Sequence, residues 1–169
     1  TDMLLLVRGG QLSNSESISK RQVDFWVINT RAFLIRGDIN KNRSISDNIQ
    51  QSLGCVDVSF VDATACCGVK TNCNVLRTDK KIPNAIETYQ KDLITRVSGV
   101  DLTSKSYTFI PYQRAAYAGS GKFNKNQIFA FLHENYVYVM GGDGIKMTKR
   151  INIQGVFEDP REVASFKTC

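Results

Sequence analysis

Tyr107 to Val139, YTFIPYQRAAYAGSGKFNKNQIFAFLHENYVYV, sets nine aromatic residues among Gly, Asn and Lys, with one histidine, one glutamate and no aspartate. Its second half has the period-two alternation of paired strands. Gln127–Leu132 and Tyr136–Met140 are separated by His133-Glu134-Asn135, a connector suited to a tight turn. Lys146–Ile153 reads as the next antiparallel strand, reached through the turn Gly141-Gly142-Asp143-Gly144. The segment therefore predicts a β-meander whose aromatics partly form core. The first half, Pro111 to Asn126, reads as a loop, and the whole stretch as a surface built for fit rather than for chemistry.

Upstream, Val56, Val58 and Phe60 alternate with Asp57 and Ser59, as a half-buried strand requires. Residues 63–73, ATACCGVKTNC, form a turn-rich link. Val75-Leu76-Arg77, Leu93–Val97 and Tyr107–Ile110 are further short strand candidates. Pro111 interrupts the pattern, and Tyr112–Tyr117 forms a brief helical turn or a loop. Nearer the start the period is helical. Residues 3–8 look like the end of a first helix, stopped by Gly9-Gly10. Ser17 or Ser19 caps a second, in which Val23, Trp26, Val27, Phe33 and Leu34 recur at helical spacing. That helix is expected to end near Gly37, with Trp26 and Phe33 in the core. Downstream, Asp159 caps and Pro160 opens a last helix, Glu162 reaches back, and Val163 and Phe166 face inward.

This order gives an α+β class: N-terminal helices and a C-terminal helix flanking an inserted antiparallel β-rich region. The expected division is a helical body over 1–50, a β-rich insert over 51–158 and a C-terminal docking helix over 159–169, in one compact unit.

The 169 residues suffice to bury a real core, and 42% hydrophobic with 22% charged residues fits an ordinary globular chain. No apolar run approaches the roughly 20 residues of a membrane span. Met3–Val7 is too short for a secretion signal. The five cysteines, an odd number with no such signal, are expected as free thiols in a reducing compartment. The net charge of +6 comes from scattered groups, Arg36–Arg43, Lys70–Lys81 and Lys146–Arg150.

Each candidate for chemistry meets a simpler explanation. Gly119-Ser120-Gly121-Lys122 matches part of a phosphate-binding loop, but Ala116 and Phe123 stand where the full pattern needs Gly and Ser or Thr. A flexible loop is the better reading. Cys55, Cys66, Cys67 and Cys73 have poor spacing for zinc, since adjacent cysteines in extended chain point to opposite faces. His133, the sole histidine, sits in a predicted turn without an orienting partner, and Glu158-Asp159 is explained by helix capping. Arg36-Gly37-Asp38 falls where a helix-ending Gly is expected. No catalytic, cofactor or metal residues are assigned, and an enzyme is disfavoured. Tyr107, Phe109, Tyr112, Tyr117 and Phe123 beside Lys105, Arg114 and Lys122 suit stacking on nucleic acid. The same residue types suit a protein interface, which is favoured.

Several landmarks carry a family likeness: Gln51-Ser52-Leu53-Gly54-Cys55, Asp62 with Cys66-Cys67, CNVLRT at Cys73–Thr78 and Lys80-Lys81-Ile82-Pro83. They continue with Thr95-Arg96-Val97, Phe109-Ile110-Pro111-Tyr112, GSGKFNKN at Gly119–Asn126 and Gly155-Val156-Phe157-Glu158-Asp159-Pro160. In this order, from the region of Lys20 onward, the chain resembles a structural protein of crAss-like Bacteroides phages. It is similar to the head-to-tail adaptor or ring proteins of short-tailed phages. The resemblance implies a homo-oligomeric ring, commonly of twelve copies, that joins portal to tail around the DNA channel. It implies no cofactor. The partners it implies are further copies, the portal protein, adjacent tail or ring proteins and transient double-stranded DNA, with no membrane. The virion is the implied location, after synthesis in the host cytoplasm. Tyr112, Arg114, Tyr117, Lys122, Phe123, Pro160, Arg161 and Phe166 are the expected subunit-interface residues. The alternative function is a small intracellular nucleic-acid-binding protein.

Overall fold

A computed structural model describes residues 19–41, 46–62, 74–88, 93–101, 104–118, 126–141 and 143–166. The chain divides into two compact units, Thr1–Ser44 and Ile45–Cys169.

The first unit contains helix α1, Lys20–Asn40. Ser19 starts it with a capping box: the Gln22 N–H donates to the Ser19 hydroxyl, and the Ser19 N–H donates to the Gln22 side-chain oxygen at 2.8 Å. Gly37 does not end the helix, which runs on to a cap at Lys41. Arg36-Gly37-Asp38 thus lies inside a helix. Ala32 is the one buried residue of α1, and Trp26 and Phe33 are exposed, against the expectation that both pack in the core. Helical spacing places residues on a common face but does not say which face is covered. The proposed helix over residues 3–8 lies outside the described residues.

The second unit is built on seven strands: β1 Gln51–Asp62, β2 Asn74–Thr78, β3 Ile94–Gly99, β4 Thr108–Phe109, β5 Ile128–His133, β6 Tyr136–Gly141 and β7 Arg150–Gly155. Their order across the sheet is β3-β7-β1-β2-β6-β5-β4. All neighbours are antiparallel except β4 and β5, which run parallel. The sheet's outer edges approach one another. Ser98 bridges to Ser106, and the Tyr107 N–H donates to the Val97 carbonyl at 2.7 Å. The result is a mixed, nearly closed, barrel-like sheet. Bringing the edges together protects backbone groups that would otherwise stand unpaired.

This architecture corrects the α+β expectation of a β-rich insert between helical ends. The sheet is the body, and the helical contribution is one long N-terminal helix and a short C-terminal one. The meander is corrected as well. β5 and β6 pair as read, through a two-residue turn in which Glu134 (φ 50°) and Asn135 (φ 64°) both have positive φ. β7 does not continue that hairpin. Residues Asp143–Met147 form a 3₁₀ helix rather than a tight turn, and β7 inserts between β3 and β1. The second edge of β6 is already occupied by β2, so β7 must find its partners elsewhere.

Alternation works well within strands. Ile151 and Ile153 of β7 are fully buried, as are Val97 of the neighbouring β3, Val137 of β6 and Ala130 of β5. Val56 and Val58 point into the same core, while Phe60, expected to join them, is exposed. At Gly54 (φ 74°) β1 takes a bulge between Ser52 and Cys55. α2, Pro160–Phe166, packs against β1, with Val163 in the core and Phe166 at its margin. Asp159 caps it as expected, its carboxylate accepting from the Arg161 N–H at 2.8 Å.

Cys55 is disulfide-bonded, which overturns free thiols at that position. An odd cysteine count bears on compartment, whereas pairing depends on which Cα atoms the fold brings within about 7 Å. Cys66, Cys67, Cys73 and Cys169 lie outside the described residues.

Candidate functional site

The outer face of the β5–β6 hairpin collects the aromatic residues that alternation turns away from the barrel core. Ala130, Val137 and Val139 point inward, which leaves Phe131, His133, Tyr136 and Tyr138 on the other face. Phe131 stands directly across from Tyr138, and their rings stack with centroids 5.0 Å apart. A 3₁₀ helix, Tyr112–Tyr117, follows Pro111 and lies against β5. From it Tyr112 stacks on His133, centroids 4.1 Å apart and nearly parallel, and meets Phe131 at 5.8 Å. Phe129 and Phe131 of β5 and Ala115 of this helix are also buried, outside the main barrel cluster.

Cations extend the surface across β6. The Arg77 guanidinium, from β2, lies 4.4 Å from the Tyr136 ring centre, and the Lys81 ammonium lies 5.7 Å from it. Arg77 Nε has no hydrogen-bond partner among the described residues, and its guanidinium lies over the aromatic face in cation–π geometry. His133 has its orienting neighbours in the Tyr112 ring and the Glu134 carboxylate, 3.9 Å away. Stacked aromatics edged by guanidinium and ammonium groups can bind by packing and by charge. Among the described residues, the same face sets no Ser, Thr or Cys nucleophile beside a general base.

Among the expected interface residues, the structure brings Tyr112, Arg114 and Tyr117 onto the 3₁₀ helix beside β5. Tyr117 is 81% exposed, although its neighbour Ala115 is buried. Pro160, Arg161 and Phe166 lie on α2 against β1, and β2 and β6 separate β1 from β5 in the sheet. The two groups therefore occupy different parts of the barrel. Arg161 is paired with Asp159 at 3.5 Å. Lys122 and Phe123, with the whole Gly119-Ser120-Gly121-Lys122 motif, lie outside the described residues. Arg77, Lys81, Tyr136 and Tyr138 were absent from the expected set. Their signal was register: only the β2–β6 pairing, Arg77 opposite Tyr138, sets the cations beside the rings.

A shallow recess lined by Val56, Asp57, Asp79, Lys80 and Phe166 offers little for catalysis. The Asp57 carboxylate accepts from Arg150 Nε at 2.8 Å, and Asp79 accepts from the Ser59 hydroxyl. No cluster of three or more metal-ligating side chains occurs among the described residues. None of their helices is long and apolar enough to cross a membrane.

No curated protein matches the chain. The family model described as phage tail ring protein 2, of crAss-like phages, matches residues 1–169, and the chain belongs to that family of virion components.

Proposed function

We propose that the chain is a non-enzymatic ring subunit that connects portal to tail and surrounds the channel through which the genome passes. Family membership supplies the tail ring. The observation that carries the rest is the aromatic surface of Tyr112, His133 and Tyr138, packed over the buried Phe131 and bordered by Arg77 and Lys81. Aromatic and Arg-rich surfaces of this kind dominate protein interfaces. The mechanism is geometric: a heterologous contact, repeated from copy to copy, closes a ring when its rotation divides a full turn.

In this reading Tyr112, Arg114 and Tyr117 touch the neighbouring subunit, with Lys122 and Phe123 continuing the same segment. The C-terminal element around Pro160, Arg161 and Phe166 docks on the portal or an adjacent subunit. Cations facing the channel meet DNA transiently, through phosphate contacts weak enough to permit ejection. Electron microscopy of the particle, and of portal protein mixed with this chain, tests the proposal. The expected image is a ring at the portal–tail junction whose copy number can be counted. A monodisperse monomer that ignores the portal but binds short DNA in a salt-sensitive way would favour the nucleic-acid-binding alternative instead.

A further inference from the structure

We infer that the exposed aromatic arc of helix α1 is a contact surface for a second copy of this chain, a step that rests on the ring reading above. Phe25, Trp26, Val27, Phe33 and Leu34 are between 52% and 71% exposed. At 3.6 residues per turn they fall on one arc of about 200°, running from Phe25 through Phe33 and Trp26 to Leu34 and Val27. Between Phe25 and Leu34 the other residues of that arc are Asn29 and Thr30, and Arg36, one turn beyond Phe33, falls on the same arc. Asp24 and Arg31 project on the opposite side and are half-buried there, in company with Ile28, Ala32 and Ile35. This inverts the usual surface helix, which covers its apolar stripe and hydrates its charges.

An aromatic patch with polar residues and one arginine at its margins has the composition of an interface core. Its size agrees. Phe and Trp side chains carry roughly 150–250 Å² each, so at these exposures the three aromatics alone present on the order of 400 Å². That is about half of the ~800 Å² that one partner contributes to a standard interface. The occupant follows from the assembly. A ring sets copies of this chain side by side at very high local concentration, and each copy brings one such arc. The arc meets a different surface of the second copy, because arc against arc closes a pair and leaves nothing to propagate the ring.

Trp26 is the sole tryptophan of the chain, so its fluorescence reports on this arc alone. The full chain is to be concentrated stepwise while light scattering gives mass and iodide quenching gives Trp26 accessibility. The expected result is a blue shift and loss of quenching that track the rise in mass. Phe33→Asp is expected to move the assembly midpoint up by about thirtyfold or more, with far-UV circular dichroism unchanged, while Phe33→Leu largely retains assembly. Assembly with Trp26 still fully quenchable overturns the inference. Shielding of Trp26 already in the dilute monomer assigns the arc to a segment of its own chain and likewise overturns it. So does a chain that stays monomeric with Trp26 accessible. Micrographs of the particle judge the ring reading separately: a ring seen there beside a quenchable Trp26 sinks only the arc.

Discussion

Thr78 shows how one side chain completes a ladder. Its residue is fully buried at the end of β2, and its hydroxyl accepts from the Val137 N–H at 3.3 Å. Thr78→Val keeps the shape but leaves that N–H without a partner, and is expected to cost about 1–3 kcal/mol, read as a lower urea midpoint at unchanged slope. Tyr107 makes a complementary case in pH. Burial raises its phenol pKa above the usual 10.0, while the hydrogen bond with Thr148 pulls the other way. The folded chain therefore holds the proton more tightly than the unfolded chain. This contribution is complete below the unfolded pKa and is lost as pH rises through the folded one. Urea midpoints measured across the alkaline range should fall for the native chain and fall less steeply for Tyr107→Phe. The residue scale also holds what the sequence left hidden. Cys55 reads as a free thiol from compartment arguments, yet the fold sets it within bonding reach of another cysteine.

Among elements, the β5–β6 hairpin was the most legible. Asn135 suits the left-handed conformation, whereas Glu134 at φ 50° tolerates it poorly. Glu134→Asn should therefore stabilise the barrel by about 0.5–1 kcal/mol, measured as a rise in melting temperature. The substitution also removes the Glu134 carboxylate from beside His133, but at 3.9 Å that solvent-accessible contact is worth little. The C-terminal helix was equally readable, because Asp159-Pro160 is a local instruction that the Arg161 N–H obeys. Helix α1 was readable in type and start only. Its capping box fixes where it begins, but Trp26 and Phe33 face outward because the covered side is chosen by neighbours rather than by spacing. Phe60 diverges from Val56 and Val58 for a related reason: inward direction along β1 does not guarantee cover at the strand's far end.

At the scale of the whole molecule, the barrel supplies rigid placement, and in the proposed ring the segments on its outside supply contact. Tyr117 is 81% exposed and adds little to the fold, so Tyr117→Asp should leave stability within about 1 kcal/mol of the native value, read from thermal unfolding. In the proposed ring it should nevertheless reduce the assembled fraction, seen as a smaller population of high-mass species in light scattering. A variant that assembles normally would remove the 3₁₀ helix from the interface. By itself the sequence determined most of the strand segments, a tight turn at His133-Glu134-Asn135, the α2 start and the family likeness, all properties of short-range pattern or of ordered local motifs, whereas Lys146 and Met147, read as strand, fall in a 3₁₀ helix. Only the tertiary structure decided that β7 lies between β3 and β1, that β4 runs parallel to β5, and that Arg77 sits over Tyr136. These depend on which sheet edges remain free once other strands have paired. Alternation fixes the face a side chain takes, whereas long-range backbone pairing selects its neighbour.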